Sequence, residues 1–119
     1  MKLRLRGNSI RLRLSKTEVE ALSKNCILTE TTLFAPGQSL VWTVESSVGE
    51  KSVRTEYGPK GIHFYIPQAL ARTWADSETV GMYTEGTPRI AVEKDFKCLE
   101  ERKGEDDQDG YPNPLAAKS

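Results

Sequence analysis

The chain has 119 residues, of which 37% are apolar and 29% charged, with a mean hydropathy of −0.54. That suffices for one domain with a core of its own and leaves no run near the roughly 18–20 apolar residues a membrane helix needs. Its 17 basic and 17 acidic residues cancel, so the general positive excess usual in DNA-binding proteins is missing.

Residues 2–6 and 10–14 alternate, with Leu3, Leu5, Ile10, Leu12 and Leu14 separated mainly by basic residues. A period of two predicts half-buried strands, and Gly7-Asn8 predicts the tight turn between them. This start lacks the charge-then-apolar order of a signal peptide, so a cytoplasmic location is expected. Ser15-Lys16-Thr17-Glu18 has the form of a capping box, opening a helix from about 16 to 24 with Val19, Leu22 and Cys26 on its apolar face. Residues 27–34 and 40–45, rich in β-branched and aromatic side chains, predict a second hairpin around Pro36-Gly37. The order then recurs. Strands are expected at 53–57 and 62–66 around Gly58-Pro59-Lys60-Gly61, then a helix entered at Pro67 with Leu70 and Trp74 on one face. A last hairpin, 79–83 and 89–93, flanks Glu85-Gly86-Thr87-Pro88.

An offset of 52 residues superposes the halves without a gap up to residue 34, setting Leu5 on Tyr57, Ile10 on Ile62, Leu12 on Phe64, Leu14 on Ile66 and Leu22 on Trp74. The final hairpin is longer in the first copy by about four residues. Matching apolar positions and turns predict a duplication. The alternative is a non-repetitive α+β domain.

Gly7-Asn8-Ser9-Ile10-Arg11-Leu12-Arg13-Leu14 followed by a helix resembles the AbrB/MazE-like swapped-hairpin family, whose members often open with W-G-N-S-x-x-x-R-I-P-K. Here Arg6 stands at the tryptophan position and Ser15 at the proline position. In the second half, Ile66-Pro67-Gln68-Ala69-Leu70 is similar to the family's I-P-x-x-L helix entry. The resemblance covers residues 2 to about 94. It implies a β-rich α+β fold in which two β-β-α-β-β repeats, 2–46 and 53–94, form one pseudo-twofold swapped-hairpin barrel within a single domain, 1–98. The whole chain is also similar to a bacterial family without assigned activity, through Met1–Ser9, Lys94–Leu99 and Glu105–Pro114.

The charges are lopsided. Residues 1–16 hold six basic side chains and no acid, whereas residues 100–109 hold six acids against two bases. With Gly7-Asn8 as the turn, Arg4 faces Arg11 and Lys2 faces Arg13 on the polar side of the hairpin, an arrangement that destabilises a sheet unless something anionic covers it. Three answers stay open: nucleic-acid phosphate, in keeping with the resembled family's DNA-binding members; the chain's own acidic tail; or water and salt. Lys2, Arg4, Arg6, Asn8, Arg11 and Arg13 are therefore the candidate anion- or nucleic-acid-binding residues. Against DNA, the second half sets Glu56 opposite His63 and offers few cations on the matching face.

Residues 99–119 are expected to be a flexible acidic tail. Its Glu105, Asp106, Asp107, Asp109 and Tyr111 are candidates for docking on a protein partner, since Tyr111, Pro112 and Leu115 amid acids resemble the segments with which MazE-like antitoxins embrace a toxin. A calcium loop fails, because the twelfth position counted from Glu105 is Ala116. Cys26 and Cys98 form neither a zinc motif nor a disulfide framework, and Cys26 is expected in the core. His63 is the sole histidine and is expected to pair with Glu56 on the surface, and Trp42 and Trp74 are expected to anchor the core. No cofactor is expected, and a binding module is favoured over an enzyme.

Overall fold

The protein is described by a computed structural model covering residues 1–96 and Tyr111. The alternating start forms β1 (Lys2–Arg6) and β2 (Ser9–Leu14), paired antiparallel with Leu3 on Leu12 and Leu5 on Ile10. Helix α1 (Lys16–Ser23) begins where the capping box places it. The Glu18 amide donates to Ser15 Oγ at 3.3 Å, and the Ser15 amide donates to Glu18 Oε1 at 2.8 Å. Two amides left over at the helix start thus find acceptors. The helix stops before Asn25, whose φ of +66° turns the chain outward. Cys26 is consequently exposed, contrary to its expected place in the core.

The second hairpin comprises β3 (Leu28–Ala35) and β4 (Gln38–Ser47). Then come β5 (Arg54–Gly58), β6 (Gly61–Pro67), α2 (Gln68–Ala75), β7 (Gly81–Thr84) and β8 (Arg89–Lys94). Pro67 ends β6 and takes the N-cap position, so the helix starts one residue later than its sequence suggests. Gly61 has a φ of +95°, and a Cβ there would lie 2.1 Å from the Val41 carbonyl oxygen. Only glycine lets β6 start so close to β4.

Two four-stranded sheets result. Sheet I has the order β1-β2-β8-β7 and sheet II the order β3-β4-β6-β5. Each takes one hairpin from residues 2–47 and one from residues 54–94, joined by a parallel central pair, β2 with β8 and β4 with β6. The expected barrel is not closed, because among the described residues no ladder links one sheet to the other. Helices α1 and α2 pack on each other and against β2, β4 and β6. The apolar faces are thus covered in layers, without the continuous strand pairing a barrel requires.

Leu12, Leu14, Leu22, Val44, Phe64, Ile66, Trp74 and Val92 are fully buried. Each such side chain contributes about 1.5–3 kcal/mol through removal from water. Trp74 is the core anchor expected of it, and its Nε1 donates to the Val80 carbonyl at 3.1 Å. Trp42 is only half-buried but packs against the same cluster. Two expected core contacts fail. Leu5 is 60% exposed, since among the described residues no strand lies beyond β1, the edge strand. Leu70 is 44% exposed, because the buried face of α2 runs through Ala71 and Trp74.

Candidate functional site

The ladders of sheet I align its outward side chains in rows. Lys2, Arg13, Glu93 and Gly81 form one; Arg4, Arg11, Ala91 and Tyr83 the next; Arg6, Ser9 and Arg89 the third. The sequence-derived register of the first hairpin is therefore the observed one, with Arg4 opposite Arg11 and Lys2 opposite Arg13. The tertiary fold adds β8 and β7 to this face. Arg89 and Glu93 on β8, Tyr83 on β7 and Glu85 just after it join the face, none of them a candidate from the sequence.

Part of the like-charge repulsion is met within the face. Glu93 Oε1 lies 3.3 Å from Arg11 Nε and 3.6 Å from Arg13 Nε, and Glu93 Oε2 accepts from the Tyr83 hydroxyl at 2.6 Å. One carboxylate thus serves two guanidiniums and a phenol. Lys2 Nζ pairs with Asp95 Oδ2 at 2.8 Å, and Arg89 Nε with Glu85 Oε2 at 3.1 Å. Among the described residues, six cations meet three carboxylates, Glu85, Glu93 and Asp95, leaving three positive charges in excess. Partial burial, and then the Glu93 bond, hold the Tyr83 phenol above its usual range.

Between the second and third rows lies a cleft of about 320 Å³. Arg4, Arg6, Arg11 and Arg89 line it, together with Ser9, Tyr83, Glu85 and Ala91. The depression follows from the register: Ala91, the smallest side chain in its row, sits between Arg11 and Tyr83. Asn8 is in the turn, and its carbonyl accepts from the Arg89 amide at 3.0 Å, tying the hairpin tip to the start of β8. Asn8 thus positions an arginine through its backbone. Such a site can hold an anion by charge-assisted forks.

The outer face of sheet II is built differently. His63 lies opposite Glu56 in the ladder, but its Nε2 is bonded to Glu45 Oε1 at 2.7 Å, correcting the expected pairing. In the parallel ladder Glu45 faces Tyr65, the residue two places after His63, which brings the carboxylate within reach. Glu56 is instead held by Arg54 Nη1 at 2.8 Å. Arg54 also bonds Glu50 at 2.8 and 2.9 Å and covers the Tyr65 ring, which stacks on His63 with centroids 4.3 Å apart. The Arg54 bond, then one from Tyr65, lower the Glu56 carboxyl below its ordinary value.

Glu105, Asp106, Asp107 and Asp109 lie outside the described residues, as does Cys98, and Tyr111 is fully exposed. Among the described residues no helix is long and apolar enough to cross a membrane, and no cluster of three metal-ligating side chains occurs. Comparison with curated proteins and with solved structures found no match. A family model does match, over residues 1–115, and the chain belongs to that family, the family of unknown function DUF7009.

Proposed function

We propose that this protein is a non-enzymatic binding module that takes up nucleic acid through the outer face of sheet I. The observation that carries the reading is the set of rows in which Arg4 meets Arg11, and Arg6 and Arg89 flank Ser9, around an open cleft. Guanidiniums so placed repel one another, and a phosphate backbone relieves that repulsion while releasing counterions. The test is an anisotropy titration against DNA at two salt concentrations. Affinity should fall steeply with salt, and a salt-insensitive or absent signal rejects the reading.

We infer further that the two β-β-α-β-β halves are copies related by an approximate twofold, an AbrB-like swapped-hairpin arrangement without the closed barrel. Positions 52 apart share burial, as with Leu12 and Phe64, Leu14 and Ile66, and Leu22 and Trp74. The central ladders match too: Ile10 pairs with Ile90 as Ile62 pairs with Trp42. An experimental structure in which residues 2–23 cannot be overlaid on 54–75 would end this inference.

A second reading is a protein-interaction domain that docks through its acidic tail, and full exposure of Tyr111 favours it. Removal of residues 104–119 should then abolish capture of the partner, and unchanged capture rejects it. In the variant of this reading in which the tail folds back on the basic hairpin, the same truncation raises nucleic-acid affinity.

A further inference from the structure

We infer that the nucleic acid held by sheet I is single-stranded, with one base stacked on Tyr83 and the neighbouring phosphates held by Arg4, Arg6, Arg11 and Arg89. The inference rests on the nucleic-acid reading above and narrows it.

Shape comes first. Four strands about 4.8 Å apart place β1 and β7 about 14 Å from each other, before their side chains are added. A major groove about 12 Å wide admits one helix or a two-stranded ribbon, and a four-stranded face is too broad to enter. Helices α1 and α2 pack against β2, β4 and β6 and on each other, in the layer behind this face. Among the described residues, the cationic face therefore has no element with which to read duplex bases. It can offer an unpaired strand both things that strand requires, a basic track for the backbone and an aromatic surface for a base.

Tyr83 supplies that surface. Tyr83 is 61% exposed and lines the cleft, while its hydroxyl is fixed by Glu93 at 2.6 Å. A ring both exposed and immobilised loses little freedom when a base stacks on it. Two other tyrosines differ. Tyr65 is sandwiched between His63 and the Arg54 guanidinium, and Tyr57 stands on β5, the edge strand of sheet II, and not in the rows that hold Arg4, Arg6, Arg11 and Arg89. The cleft volume of about 320 Å³ lies at the small end of the range for small-ligand sites, a size suited to one nucleotide unit rather than a duplex.

The test uses the full-length protein with a labelled 12-nucleotide DNA or RNA strand and with the blunt duplex of the same sequence. The single strand should bind about tenfold tighter than the duplex, the scale of one stacked base. Tyr83→Ala should lose about that factor for the single strand and nothing for the duplex. Tyr83→Phe keeps the ring but loses the bond to Glu93, and should stay within about twofold of wild type. A bromouracil-substituted strand irradiated in the complex should crosslink to the peptide holding Tyr83, a readout independent of variant folding. Equal or tighter duplex binding, or crosslinking only at Tyr57, overturns the single-strand inference and leaves nucleic-acid binding standing. Absence of binding by every polynucleotide at low salt overturns both.

Discussion

Sheets I and II share one topology, a parallel central pair flanked by antiparallel neighbours, yet their outer faces carry opposite electrostatics. On sheet II, Arg54 is enclosed by Glu50 and Glu56, His63 by Glu45 and Tyr65, and the acids outnumber the arginine. On sheet I, a single carboxylate, Glu93, is shared between two arginines, and among the described residues cations exceed acids by three. The ladder fixes which positions point outward, but it does not say which charges occupy them. Inward positions are constrained by a common core, so the electrostatic difference lies in the outward set.

The largest effects test whether the sheets share that core. Phe64→Ala in sheet II should cost about 3–5 kcal/mol and Leu12→Ala in sheet I about 2–5 kcal/mol, both read from chemical denaturation. Because each sheet draws a hairpin from each half of the chain, both variants should shift one common transition. Two separate transitions would break the comparison, leaving each sheet a unit of its own. Next comes the charge contrast. Arg6→Glu with Arg89→Glu should weaken oligonucleotide binding about a hundredfold at low salt, whereas Lys60→Glu, in the β5–β6 turn, should leave it within about twofold. Equal losses would show that net charge, not the face, governs binding.

Gly61→Ala in sheet II should cost on the order of 2 kcal/mol or more, since it adds both backbone strain and a clash with Val41. A melting temperature unchanged from wild type would disprove the close approach of β6 to β4. The smallest effect is in the acid range. Burial works against the charge of Glu18, but bonds from the Met1 amine and the Ser15 backbone outweigh it and lower its pKa below 4.5. A carboxylate lowered on folding contributes stability above its unfolded pKa, and that contribution disappears as pH falls through the folded value. Glu18→Gln should therefore destabilise the protein at neutral pH and flatten the acid limb of its unfolding curve. An unaltered limb in acid titration would assign that slope to Glu50 and Glu56 instead, both also lowered by their bonds to Arg54.

Local rules carried much of the fold. Alternation of Leu with Arg in residues 2–14 is enough to place β1, β2 and their register, because one face must be buried and a slip of one residue inverts every side chain. Ser15 and Glu18 locate the start of α1 by the same directness, since the partners of both amides lie within one turn. Helical spacing extends to Cys26, but the turn at Asn25 takes that residue out of the core. Leu5 misled because an alternating pattern does not say which strand will lie at an edge. Ladder position sets His63 beside Glu56, but its bond goes to Glu45 on β4.

What remained out of reach was everything set by strands meeting across the chain. The pairing of β2 with β8 joins residues about eighty positions apart, and no local pattern encodes it. Yet it alone brings Arg89, Tyr83 and Glu93 beside Arg4 and Arg11. The sequence by itself determined the strands, the helix starts and a basic hairpin, each a matter of periodicity or of contacts within a few residues. Only the tertiary structure decided that the sheets stay separate and that a cleft with an aromatic wall forms, because both depend on long-range burial that selects among many locally acceptable pairings.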